Sequence, residues 1–100
     1  MIIKKITSKQ DGLKLEIAIM ECKNPKGIVQ FSHGMAEHKE RYFDFMQYLN
    51  ERGYICVIHD HRGHGASVKS KNDYGYFYTE NADYIVDDLF QVTEYACDMY

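Results

Sequence analysis

The sequence has no apolar run long enough for a membrane span or a signal peptide. Even the opening Met1-Ile2-Ile3-Lys4-Lys5-Ile6-Thr7 is broken by lysines. Cysteine is sparse and odd in number. Cys22, Cys56 and Cys97 have no paired spacing, which argues against a disulfide framework and predicts three reduced packing residues of a cytoplasmic protein. Neither sign of charge dominates. A net charge of −3 with scattered basic residues leaves no electrostatic footprint for a nucleic-acid partner, and Lys69 and Lys71 read as part of a solvated loop. Internal repeats and low-complexity segments are missing too. What remains is globular: 45% of the residues are hydrophobic, with nine Tyr and five Phe, enough for the modest core of one small domain at most.

The local patterns predict strands and helices in the order β-β-β-α-β-α. Ile2 to Lys9 reads as a strand and Asp11-Gly12 as a tight hairpin turn whose two central residues both take positive φ. Leu13, Leu15, Ile17 and Ile19 alternate with mostly polar neighbours, the period of a strand. Asn24-Pro25-Lys26-Gly27 is a turn, and Ile28 to Ser32 is short, apolar and partly β-branched, the pattern of a buried strand. From Lys39 or Glu40 to Arg52 a helix is predicted, with Tyr42, Phe45, Met46 and Leu49 on one apolar face and Gly53 ending it. Tyr54 to His59 is a second buried strand, so Ile28 to His59 forms a strand–helix–strand crossover of parallel strands. Residues 60–80 form a long polar loop, and loops of that length are usually functional. Asn81 is the predicted cap of a last helix, with Asp83 in its first turn and Ile85, Leu89, Val92, Ala96 and Met99 on its apolar stripe. Tyr42, Tyr48 and Tyr54 read as packing residues with their hydroxyls at the rim.

The chemistry lies at the ends of the two predicted parallel strands, where open α/β sheets bind ligands. After the first comes His33-Gly34-Met35-Ala36-Glu37-His38-Lys39-Glu40-Arg41-Tyr42, and after the second Asp60-His61-Arg62-Gly63-His64-Gly65-Ala66-Ser67. Acyl transfer needs donors aimed at the oxygen that turns negative in the tetrahedral intermediate. A glycine-bearing turn at a strand end can present a backbone N–H in that way, with Met35 as the donor.

These two motifs, in this order and context, resemble the monoacylglycerol lipase and lysophospholipase branch of the α/β-hydrolase fold, with residues 26–68 carrying the likeness. The resemblance implies that Met35 supplies the first oxyanion-hole N–H and that His33 and Gly34 shape its turn. It implies that Glu37, His38, Arg41 and Tyr42 brace the loop and the following helix. Asp60, Arg62, Gly63, His64, Gly65 and Ser67 then form the loop lining the floor beside the site. It further implies the N-terminal part of a mostly parallel mixed sheet, with the fourth strand between the second and third, and hydrolysis of a lipid ester such as a monoacylglycerol or lysophospholipid without a cofactor or metal. No Gly-x-Ser-x-Gly occurs. The nucleophile, acid and base of that family, which follow in the order Ser, Asp, His, and its cap therefore have no counterpart here.

The expectation is thus an incomplete domain spanning 1–100, inactive alone, that exposes a sheet edge and self-associates through it. Ser67 sits in a loop rather than at a strand-to-helix elbow, and Ser32 has no identified base, so neither reads as a nucleophile. His33 reads as structural. Two other readings stay open: a non-catalytic truncated module used for binding or assembly, and a zinc-dependent hydrolase using His59, His61 and His64, whose spacing after a strand resembles a metal motif.

Overall fold

The computed structural model describes residues 1–100 throughout. It contains β1 (Ile2–Thr7), β2 (Lys14–Met20), β3 (Gly27–Phe31), α1 (Phe43–Asn50), β4 (Tyr54–His59) and α2 (Asp83–Met99), with short 3-10 turns at Lys39–Tyr42 and Lys71–Asp73. The four strands make one sheet in the order β1-β2-β4-β3, the order expected. β1 and β2 are antiparallel, as are β2 and β4, while β3 and β4 run parallel across the α1 crossover.

The two central strands are covered on both faces. On one side, Ile17, Ile19, Ile55 and Val57 pack with Val92 and Ala96 of α2. On the other, Ala18, Met20, Cys56 and Ile58 pack with Met46 of α1. Ala18 and Met20 are buried because a central strand hides both of its faces; only an edge strand keeps the half-buried alternation. Chains emerging from the carboxyl ends of β3 and β4 meet on one rim, and this places the two motifs side by side.

Several sequence expectations change. The hairpin is wider than a two-residue turn: Gly12 has φ +80 and Asp11 is not in the positive-φ region. Ser8 N–H instead donates to Leu13 O at 2.8 Å and Gly12 N–H to Ser8 O at 2.9 Å. β3 is half exposed rather than buried, since it forms the sheet edge. The helix after the first motif divides into a 3-10 turn and the shorter α1, and Phe45 is 55% exposed because the sheet stops at β3 before reaching it. Tyr48 is exposed too and carries the Arg52 guanidinium over its ring at 3.5 Å. Met99 is exposed, so the stripe of α2 ends before it. Among the cysteines Cys56 is buried, Cys22 partly so, and Cys97 exposed; Cys97 is therefore not a packing residue. The cap of α2 falls one residue later than expected, at Ala82, which makes no side-chain cap bond, while Asn81 Oδ1 accepts from Asp83 N–H at 3.0 Å just ahead of it. The first part of the 60–80 loop, a polar stretch by sequence, is buried from Asp60 to His64 and again at Ser67.

Candidate functional site

Residues 34–37 form a reverse turn closed by Glu37 N–H to Gly34 O at 3.1 Å. Ala36 occupies its third position at φ +64, which makes this a type II turn with alanine where glycine is favoured. Besides the Glu37 N–H, two more of the turn's N–H groups are spent on structure. Gly34 N–H donates to Glu37 Oε1 at 2.6 Å and Ala36 N–H to His64 Nε2 at 3.2 Å. The Met35 N–H between them has no acceptor within the chain, and Met35 as a residue is 73% exposed.

Glu37 organises the turn. Besides Gly34 N–H it accepts from the Tyr42 hydroxyl at 2.8 Å and pairs with Arg41 Nε at 3.2 Å. The Tyr42 and Gly34 hydrogen bonds hold its carboxyl below the usual range, and the same contact with Glu37 raises Tyr42. His38 is less engaged: its imidazole is exposed and touches Glu40 at 3.1 Å. His33 is buried with both nitrogens assigned. Nδ1–H donates to Gly34 O at 2.8 Å, and Nε2 accepts from His61 N–H at 2.9 Å. That fixes the neutral tautomer, and burial lowers its pKa further.

The second motif is locked by two buried cations. Lys39, fully buried, reaches Glu16 at 2.6 Å and both Glu40 and Asp60 at 2.8 Å. Burial opposes its charge, yet the hydrogen bonds from these carboxylates raise its pKa overall. Asp60 spends its two oxygens on Lys39 N–H at 2.8 Å, Lys39 Nζ, and Ala66 N–H at 3.0 Å. Its own burial works against ionisation, but those bonds leave its pKa lowered. Arg62, also fully buried, donates to both oxygens of Asp11 at 2.8 and 3.0 Å and from Nε to Asp88 at 2.8 Å, with Phe77 O at 2.9 Å. Ser8 bridges to Asp88 at 2.6 Å.

Glycine is required at both places in this loop. A Cβ on Gly65 (φ +50) would lie 2.3 Å from the Asp60 carboxylate, and one on Gly63 (φ +77) 2.4 Å from Tyr76 O. Ser67 Oγ accepts Glu16 N–H at 2.9 Å, a structural use in a buried place. His64 Nδ1–H donates to Arg62 O at 3.1 Å, and its ring stacks on Phe77.

Two expectations about nitrogen and oxygen partners change here. Ser32 Oγ does have a histidine, lying 2.9 Å from His61 Nε2. His61 Nδ1, however, is buried with no partner, so no third group orients the ring, and burial depresses its pKa to about 4. A ring that weakly basic is a poor general base near neutrality. The zinc reading loses its third ligand, because both nitrogens of His64 are taken by Ala36 and Arg62. The one cluster with metal-like convergence, Glu16, Glu40 and Asp60, already surrounds the Lys39 ammonium. His59, on β4, keeps both ring nitrogens buried and unpaired, and burial takes its pKa to about 3.

The two motifs enclose a cavity of about 610 Å³, bordered by Met35, Ala36, His38, His64, Gly65 and Tyr74. A smaller one of about 180 Å³ runs beneath Met35 against His33, His61 and Phe77. Sequence reasoning missed Lys39, Ser8, Asp11 and Asp88. Lys39 and Asp88 resemble solvated helix residues, and their partners lie up to 80 residues away. The one usable signal was Arg62 inside a motif with buried strand residues before it, since a buried guanidinium demands carboxylates.

Residues 23–100 match the family model described as serine aminopeptidase, S33. The chain is 34% identical over 65 residues to a monoglyceride lipase homolog of Monkeypox virus, covering 62% of this chain and 24% of that protein. It is 43% identical over 44 residues to the monoacylglycerol lipase of Mycolicibacterium smegmatis, covering 44% and 16%. Among solved structures, a thermostable carboxyl esterase from Bacillus coagulans superposes with a TM-score of 0.88 at 24% identity, over 99% of this chain and 32% of that one. A soluble variant of the Saccharomyces cerevisiae monoglyceride lipase gives 0.68 at 20% identity, over 94% and 31%; at these identities both show the fold. The chain spans a quarter or less of the length of the curated relatives it matches.

Proposed function

Because this chain belongs to the serine aminopeptidase S33 family of α/β hydrolases, we propose that it is the oxyanion-binding, N-terminal segment of a serine carboxylic-ester hydrolase acting on lipid esters such as monoacylglycerols or lysophospholipids. One observation carries the reading. In a turn whose neighbouring N–H groups are tied to Glu37 and His64, the Met35 N–H alone is free, and Met35 lines both cavities. A substrate carbonyl placed there gains one hydrogen bond as its oxygen becomes negative, the difference between ground and transition state that accelerates acyl transfer.

The names of the relatives support the lipid ester. A serine from elsewhere in the parent protein would attack the carbonyl, and a histidine would move its proton. Residues 33–42 and 60–67 supply the second role, shape: Glu37, Tyr42 and Arg41 hold the turn, while Asp60, Arg62 and the two glycines hold the floor. Residues 1–100 alone then lack a nucleophile and are inactive. The three free cysteines support a reducing, cytoplasmic setting. The half-exposed edge at β3 supports self-association of the isolated chain, for which a single monomeric peak in concentrated size-exclusion runs would be the contrary result.

The test is Met35→Pro in the parent protein. Met35 is the second residue of a type II turn, where proline fits the backbone, so the substitution deletes the N–H and spares the fold. Turnover of a p-nitrophenyl ester should drop by about 10²–10³ with KM little changed. An unchanged rate in the folded variant would refute the assignment.

A further inference from the structure

Beside the cavity at Met35 lies a second cleft of about 430 Å³, into which β1 brings Lys5 and the 60–80 loop brings Lys69 and Lys71. The two clefts share a wall made by His38, Gly65 and Tyr74. None of the three lysines has a carboxylate partner within 4.0 Å, whereas Lys39 and Arg62 are saturated with them. Lys5 Nζ makes only a 3.5 Å contact to Ala66 O, and Lys69 Nζ rests 5.0 Å from the centre of the Tyr78 ring. The one acid on the cleft wall, Glu40, shares the Lys39 ammonium, at 2.8 Å, with Glu16 and Asp60 and also touches His38 at 3.1 Å. In a chain of net charge −3, the lining of this cleft sets three lysines against one carboxylate.

We propose that the lysine cleft binds the phosphate of an anionic glycerophosphate headgroup, so that the preferred ester is an acidic lysophospholipid rather than a neutral monoacylglycerol. This rests on the ester-hydrolase reading for the position of the acyl carbonyl at Met35. The phosphate would lie across the shared wall, with Lys69 and Lys71 above it and Lys5 at its side. Lysine ammonium groups are strongly hydrated point charges that suit a tetrahedral dianion from several directions. A neutral glycerol would leave all three unused.

The experiment is a titration of the 15N-labelled chain followed by amide shifts, with glycerol 3-phosphate, inorganic phosphate and glycerol as separate probes. Glycerol 3-phosphate should shift the amides of Lys69, Lys71 and Tyr74 saturably, and more tightly than inorganic phosphate does. Glycerol should leave them in place. Lys69→Gln with Lys71→Gln, both on exposed residues, should weaken glycerol 3-phosphate by roughly tenfold without altering the rest of the spectrum. Equal affinity for inorganic phosphate would overturn the headgroup assignment in favour of a plain anion site. Undiminished binding in the double variant, or equal shifts with glycerol, would overturn the cleft itself. The readout is binding, so a parent enzyme that proves inactive on esters refutes the hydrolase reading and leaves this result standing.

Discussion

The turn at 34–37 and the loop at 60–67 sit side by side, and they are held in opposite ways. The turn is exposed at Met35, keeps a non-glycine residue at positive φ, and relies on one half-exposed carboxylate, Glu37, for its shape. The loop is buried, uses glycine where φ is positive, and is clamped by Lys39 and Arg62 among five carboxylates. The difference teaches where rigidity is supplied. If the free N–H meets a substrate as proposed, the turn has to stay at the surface, and its precision comes from a neighbour that is buried.

Loss of the clamp should do the most damage. Arg62→Ala leaves the Asp88 carboxylate buried with only the Ser8 hydroxyl and no counter-charge, which should lower unfolding free energy by about 3–5 kcal/mol in urea melts. If the double variant Arg62→Met with Asp88→Leu costs as much as the single one, the charge argument fails. Next is Gly65→Ala, which forces a Cβ against Asp60 in the left-handed region and should cost roughly 1–3 kcal/mol. A variant as stable as the native chain would show that the loop can give.

His59 gives a smaller effect of the opposite sign. Its pKa of about 3 and that of His61, about 4, both lie below the ordinary 6.5 because burial disfavours the charged ring. Below about pH 6.5 the unfolded chain takes up protons that the native state refuses. Stability is therefore full above that pH and declines with acid by up to about 1.4 kcal/mol per pH unit for each ring. His59→Leu removes two unpaired buried nitrogens, so it should raise the melting temperature at pH 7 and flatten the decline between pH 6 and 4.5. A melting temperature that is lower, with the acid slope intact, would contradict this. Smallest of all is Ala36→Gly, which relieves the turn. It should stabilise by roughly 0.5–1 kcal/mol by urea melt, and a loss of stability would mean that Ala36 carries no strain.

The sheet was legible because its cues are local. Alternation in Leu13 to Ile19, the turn at Asn24-Pro25, the glycine after α1 and the Asn81 side chain just before α2 each act within a few residues. The reverse turn at 34–37 was legible through His33-Gly34 at a strand end. What the sequence hid is long-range charge. Ser8 and Asp88 meet across 80 positions, and Glu16 meets Lys39 across 23; no periodicity marks such a pair. Phe45 was misread for a related reason: its helical spacing is apolar, but whether a face is covered depends on how far the sheet extends. The lysines at 69 and 71 are solvated as their composition suggests, and only the fold shows that they share a cleft with Lys5.

Lys39 also makes the molecule its own recorder. Its ammonium is sealed among three carboxylates with no exposed surface, while Lys69 and Lys71 lie open to solvent. An amine-reactive reagent will therefore acylate the outer lysines first and reach Lys39 only when the turn and the loop part. The lag between the two modifications, read by mass, measures how often that separation happens in the native chain.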